Sequence, residues 1–175
     1  KKFFLNVLNF CYNWLSFLFR LSKPVSRLSE QPEQTPRTAP RPPKAVDEAL
    51  FLRLCDGCGE CQRICPNSVI EMSDQTARLN LDYNECLLCD ECTKVCSSGA
   101  LHASQNSKIN LRPDFSQSCN NYLQIDCQQC AIGCPQSAIR VEEGERPVVD
   151  EEKCNGCGQC RSHCYLGAIS MAFHS

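Results

Sequence analysis

All of the 17 cysteines except Cys11 lie between residues 55 and 164, and their spacing repeats. The first run is Cys55-x2-Cys58-x2-Cys61-x3-Cys65, followed by Pro66. The second is Cys86-x2-Cys89-x2-Cys92-x3-Cys96, and the last is Cys154-x2-Cys157-x2-Cys160-x3-Cys164. Three thiolates at i, i+3 and i+6 in one loop can hold three irons of a cubane. The fourth cysteine, on the helix that follows, points away and ligates the cluster of the neighbouring unit. On that rule Cys55, Cys58, Cys61 and Cys96 hold one [4Fe–4S] cluster (centre 1), and Cys65, Cys86, Cys89 and Cys92 hold a second (centre 2). Cys134, Cys154, Cys157 and Cys160 hold another (centre 4).

The third run departs from the rule. Aligning Cys127, Cys130 and Cys134 with Cys58, Cys61 and Cys65 puts Gln124 where a first ligand belongs, and Cys119 lies five residues earlier. An inserted loop that brings Cys119 back completes centre 3 from Cys119, Cys127, Cys130 and Cys164, for four [4Fe–4S] clusters in all. The competing form is a three-cysteine [3Fe–4S] centre with Cys119 free. Structural zinc favours paired Cys-x2-Cys knuckles across longer loops and explains a third and a fourth cysteine poorly. Disulfides need an oxidising compartment, and no export signal is read at the start of the chain, where no small-x-small site follows the apolar segment. Cys11 reads as a small hydrophobe on that segment.

The chemistry stops at redox. His102, His163 and His174 belong to no nucleophile pattern, and there is no GxxxxGK[ST] or strand-associated GxGxxG loop. The expectation is an electron carrier with no substrate site of its own, not an enzyme. Residues 1–50 hold eight Lys/Arg against four Asp/Glu, about +4, and residues 51–175 hold ten against sixteen, about −6. An acidic module disfavours nucleic acid, whose phosphates need a basic surface. Each oxidised cluster with four thiolates adds about −2, so backbone N–H groups donating to sulfur are needed to tolerate the charge.

The elements that must position these cysteines follow from a repeat. Four segments end alike, Cys65-Pro-Asn-Ser-Val-Ile70, Cys96-Ser-Ser-Gly-Ala-Leu101, Cys134-Pro-Gln-Ser-Ala-Ile139 and Cys164-Tyr-Leu-Gly-Ala-Ile169. Each predicts a short helix that carries the last cysteine, turns at Ser or Gly and enters a strand. Cys58 and Cys89 are 31 residues apart, Cys127 and Cys157 are 30 apart, and Cys58 and Cys127 are 69 apart, which is a duplicated pair. The predicted class is α+β, with tandem bicluster ferredoxin-like modules at 51–103 and 117–175 joined by a connector at 104–116.

Ahead of them, residues 3–21 (FFLNVLNFCYNWLSFLFRL) place Asn6, Asn9, Asn13, Ser16 and Arg20 on one helical stripe, the rest being apolar and aromatic. Residues 1–21 are expected to form a hydrophobic, amphipathic helix that anchors to a membrane surface. Spanning the membrane and docking on another protein are the competing readings. Residues 22–50 hold six of the ten prolines and read as a flexible, extended linker.

The module resembles the NapF-type ferredoxins of periplasmic nitrate reductase systems over roughly residues 50–172. The resemblance rests mainly on Cys119-Asn-Asn-Tyr-Leu-Gln-Ile-Asp-Cys127-Gln-Gln-Cys130-Ala-Ile-Gly-Cys134-Pro135, with its long first gap, and on Cys154-Asn-Gly-Cys157-Gly-Gln-Cys160. It implies a cytoplasmic protein that associates with the catalytic molybdenum subunit of a nitrate reductase before export, either supplying electrons or assisting maturation. The hydrophobic segment and tether depart from the family's short, arginine-rich start. They suggest attachment to the inner face of the cytoplasmic membrane, near a quinone-linked enzyme. Three roles follow: a redox adaptor for an anaerobic respiratory system, a maturation factor for the molybdenum subunit, or a fixed subunit of a membrane oxidoreductase.

Overall fold

The computed structural model describes residues 35–174. The helix expected over 1–21 and the first part of the linker lie outside them. Among the described residues no helix is long and apolar enough to cross a membrane.

The order is α1 (Glu48–Leu54), α2 (Glu60–Ile64), β1 (Ile70–Ser73), β2 (Thr76–Leu79), α3 (Glu91–Lys94) and β3 (Leu111–Phe115). A 3-10 turn follows at Asn120–Leu123, then α4 (Gln129–Ile132), β4 (Ile139–Arg140), β5 (Val148–Val149), α5 (Gln159–Ser162) and β6 (Ile169–Phe173). The class is α+β, as the sequence predicts. Helices of four to seven residues cannot stand on their own propensity, so packing must hold them. The apolar pair that closes each repeat supplies much of that packing. Val69 and Ile70, Ala100 and Leu101, Ala138 and Ile139, and Ala168 and Ile169 are all buried.

The strands form three antiparallel pairs, β1–β2, β3–β6 and β4–β5. In each module the closing apolar pair of its second unit finds its edge partner in chain that precedes the first unit. β6 pairs with β3 from Leu111↔Phe173 to Phe115↔Ile169. The equivalent in the first module is reduced to one bridge, Ala45↔Leu101, flanked by Val46 N–H donating to the Ala100 carbonyl at 3.0 Å and His102 N–H to the Lys44 carbonyl at 2.9 Å.

This pairing corrects two expectations. The last third of the anticipated linker is packed, and part of the anticipated connector is a strand, because each module needs that edge. Pro42 and Pro43 are fully buried, and Ala45 and Val46 nearly so. Arg41 is 5% exposed and Glu48 is 2% exposed. The Arg41 guanidinium donates to Glu48 from Nη2 (2.7 Å) and Nε (3.2 Å), and from Nη1 to the Ala77 carbonyl (3.0 Å). It also lies over the Phe51 ring, 4.7 Å from its centroid. Thr38 Oγ1 donates to Glu48 as well, at 2.5 Å. These contacts fasten the chain that leads into α1 onto β2.

Burial works to raise the Glu48 pKa, but hydrogen bonds from Arg41 and Thr38 and the Arg41 charge outweigh it and hold the carboxyl at about 2. Glu48→Gln is expected to cost about 3–5 kcal/mol at pH 7, since it leaves a buried guanidinium unpaired. A folded pKa below the ordinary value of 4.5 contributes stability above pH 4.5 and loses it as the pH falls toward 2. The gap between wild type and variant should therefore be full at pH 7 and shrink below pH 4.5. Denaturation midpoints measured under argon across that range check it, and equal midpoints at pH 7 would refute it.

Candidate iron–sulfur centres

Each regular cysteine loop turns through two left-handed residues, one just before its second cysteine and one just after it. These are Gly57 and Gly59, Leu88 and Asp90, and Gly156 and Gly158. In the second and last of these loops the three thiols so carried line one cavity. At Gly57 (φ +71°) and Gly156 (φ +74°) the requirement is also spatial. A Cβ on Gly57 would sit 2.7 Å from the Gln75 carbonyl oxygen, and one on Gly156 only 2.5 Å from that of Ile109. Leu88 takes the same conformation (φ 52°) with a bulky side chain, a strain of order 1–3 kcal/mol held by the surrounding fold.

Three sets of four cysteines line cavities. Cys65, Cys86, Cys89 and Cys92 surround one, walled by Pro43, Val69 and Ile70. Cys119, Cys127, Cys130 and Cys164 surround a second, walled by Phe115, Tyr165 and Ile169. Cys134, Cys154, Cys157 and Cys160 surround a third, walled by Pro113, Pro135 and Met171. Counting the mouths open to solvent, they enclose about 350, 330 and 300 Å³. In each set the fourth cysteine, Cys65, Cys164 or Cys134, crosses from the paired unit. Cys55, Cys58 and Cys61 share the first loop, and the charges of Cys55 and Cys58 act on Cys61. Cys55, Cys61 and Cys96 pack against the same apolar core.

Main-chain donors meet the crossing sulfurs. Leu101 N–H donates to Cys96 Sγ (3.3 Å), Ala138 N–H to Cys134 Sγ (3.3 Å) and Ala168 N–H to Cys164 Sγ (3.4 Å). The closing apolar pair of the repeat thus anchors the chain and offers N–H to sulfur, the kind of contact that stabilises an anionic cluster and tunes its potential. Burial pushes the Cys86 and Cys160 thiols up to about 12, and those of Cys61, Cys92 and Cys130 to about 11. Those five thiols are therefore protonated at neutral pH, and iron must displace their protons to bind them. Four converging thiols, apolar walls and N–H donors suit a [4Fe–4S] group.

Cys119 is buried, at the start of the 3-10 turn. Asn121, which spacing alone does not reveal, ties that turn to the regular part of the loop. It is 3% exposed; its Oδ1 accepts from Cys127 N–H (3.2 Å), and its Nδ2 donates to the Cys127 carbonyl (2.8 Å) and reaches Cys119 Sγ at 4.0 Å. Only the long first gap in the third run signals that some clamp is needed. Asn121→Ala should release Cys119 and empty that one site, lowering bound iron by about four per chain. An unchanged iron count would show the clamp to be dispensable.

His102 pairs with Ser104 Oγ (2.7 Å), and His163 Nδ1 contacts the Gln159 carbonyl (2.9 Å). Neither contact involves a cysteine.

A family model for the 4Fe–4S dicluster domain matches residues 54–100 and again 125–168. The chain is 40% identical over 135 residues to an uncharacterized protein of Haemophilus influenzae, covering 77% of this chain and 79% of that one. It is 34% identical to the methylamine utilization ferredoxin-type protein MauM of Methylorubrum extorquens, covering 75% of this chain and 70% of that one. It is 31% identical to the ferredoxin-type protein NapF of Haemophilus influenzae, covering 75% and 77%.

Proposed function

The chain belongs to the family of 4Fe–4S dicluster proteins, among the ferredoxin-type members that include NapF and MauM, and from that premise we propose that it is a four-cluster redox adaptor for an anaerobic respiratory system of the nitrate reductase type. The four sets of cysteines are its ligands: Cys55, Cys58, Cys61 and Cys96; Cys65, Cys86, Cys89 and Cys92; Cys119, Cys127, Cys130 and Cys164; and Cys134, Cys154, Cys157 and Cys160.

The observation that carries this reading is the exchange of fourth cysteines between units around thiol-lined cavities. In the second module Cys134 and Cys164 cross reciprocally, in the first Cys65 crosses, and two ligand sets interlocked in this way suit the passing of electrons from cluster to cluster. A carrier of this kind needs no substrate site of its own. When bound, the clusters supply one-electron chemistry. The protein's cysteine thiolates would hold their irons, its apolar walls would shield them, and its main-chain N–H groups donate to the cysteine sulfurs. The partners are redox proteins, either a molybdenum reductase catalytic subunit or a quinone-linked membrane enzyme. Residues 1–21 attach the protein to the inner face of the cytoplasmic membrane, a reading supported by the aromatic, apolar face that their pattern gives a helix and by the flanking lysines and arginines.

A second reading is a maturation factor that hands iron–sulfur units or electrons to an unfinished molybdenum subunit. Exposure of Cys58 and Cys89 favours it, since a cluster held there has an accessible edge.

An anaerobic pull-down of tagged protein from separated membrane and cytosol fractions distinguishes them. Recovery from membranes with a quinone-linked enzyme is the expected result. Recovery from cytosol with an unexported, cofactor-poor molybdenum subunit would replace the adaptor reading with the maturation reading.

A further inference from the structure

The two modules meet through the loops that carry their cysteines. Cys86 N–H donates to the Cys157 carbonyl at 2.8 Å. Among the described residues this is the only main-chain hydrogen bond joining a cysteine of the first module to one of the second. Cys86 faces the cavity of centre 2 and Cys157 that of centre 4, and each cysteine is 7% exposed. The contact is reinforced on both sides. Ser162 Oγ donates to Glu85 Oε2 at 2.6 Å, and Ile109 N–H donates to the Asn155 carbonyl at 2.9 Å. Leu81, 3% exposed, packs so closely on Gly158 that a Cβ there would lie 3.1 Å from its Cδ1.

A ligand cysteine is covalently continuous with its iron. Between centres 2 and 4 there thus stand only two cysteine residues and one short hydrogen bond, in a place from which water is excluded. Electron tunnelling falls off exponentially with distance, and it couples far better through bonds and hydrogen bonds than across gaps. Within each module a comparable link exists, because one short helix bears cysteines of two sets: Cys61 and Cys65 lie within and just after α2, and Cys160 and Cys164 within and just after α5.

We propose that electrons cross between the modules at the Cys86–Cys157 junction, so that the centres work in the order 1, 2, 4, 3, with centres 1 and 3 as the terminal ports. This rests on the electron-transfer reading given above and adds to it the route. With the clusters bound, each transfer would move one electron from a donor centre to an acceptor centre, with no bond made or broken.

The test is EPR of the full-length holoprotein reduced with dithionite, in two variants. In one, Cys55→Ala, Cys58→Ala, Cys119→Ala and Cys127→Ala remove centres 1 and 3. In the other, Cys86→Ala, Cys89→Ala, Cys154→Ala and Cys157→Ala remove centres 2 and 4. Each should retain about eight irons, two centres of four. The variant keeping centres 2 and 4 is expected to show spin–spin broadened, coupled signals, and the variant keeping centres 1 and 3 two isolated ones. Isolated signals in the former, or coupling in the latter, would overturn the route.

Should either variant lose the remaining iron, the question is read in the intact chain with Leu81→Glu, which puts a charge into the junction. Loss of part of the wild-type broadening at unchanged iron supports the route, and an unaltered spectrum overturns it. Wild-type protein whose iron is present but takes up no electrons would sink the electron-transfer reading itself, a result seen before any coupling is measured.

Discussion

Removing iron from the reduced protein is expected to unfold the described region, with loss of its circular dichroism and of any cooperative thermal transition. The sheets are three two-stranded pairs, and such pairs are marginal in water without further packing. The helices in the cysteine units run only four or five residues. The hydrophobic cluster at the centre of the second module is built on Cys130, Ile139, Cys160 and Ile169, and two of these four are cysteines lining the cavities. Small metal-dependent domains draw about 10–16 kcal/mol of folding free energy from their metal, and the loss of several such sites exceeds the about 5–15 kcal/mol by which domains are stable. A chelator under reducing conditions, followed by a thermal melt, checks this. A melt unchanged by chelation would contradict it.

Gly156→Val is expected to be the most damaging single substitution outside the cysteines. The left-handed φ of +74° alone costs a β-branched residue roughly 1–2 kcal/mol or more. A Cβ would also lie 2.5 Å from the Ile109 carbonyl oxygen and 2.7 Å from that of Leu111, both backbone atoms that a rotamer change cannot relieve. The loop between Cys154 and Cys157 must therefore move away from the start of β3, taking centre 4 and the Cys86–Cys157 junction with it. Bound iron should fall by about four per chain. Gly99→Val is the control, because Gly99 shares the conformation (φ +76°) but has nothing within 4 Å of a Cβ, so only the backbone strain remains. Full iron and a near-normal melt are expected there. Equal effects at the two positions would show that the close approach is unimportant.

The part of the molecule that could be read from its residues is the part dictated by iron chemistry. Thiol spacing is set by the geometry of a cubane, so the grouping of Cys65 with Cys86, Cys89 and Cys92, and of Cys134 with Cys154, Cys157 and Cys160, follows from counting along the chain. The closing apolar pairs could be read for a similar reason, since each must bury itself beside a thiol. The segments that open each module could not. Thr35–Val46 has the prolines and charges of a tether, and tertiary partners turn it into packed chain: Glu48, Phe51 and the Ala77 carbonyl around Arg41, and Leu101 beside Ala45. Leu111–Phe115 contains Pro113, which lacks an N–H and argues against a strand, yet a two-stranded pair has free edges where that loss is harmless. The Asn121 clamp was hidden for another reason. An asparagine in a polar loop carries no periodic signal, and its meaning lies in Cys127, six residues away.

The central claim, four [4Fe–4S] clusters that carry electrons, is tested most directly by one anaerobic redox titration of the purified full-length protein, with iron and sulfide counted on the same sample and the clusters followed by EPR. About sixteen irons and sixteen sulfides per chain, with about four electrons taken up and returned without loss of iron through repeated cycles, is the expected result. About eight irons, zinc in place of iron, or clusters shed on the first reduction would contradict it.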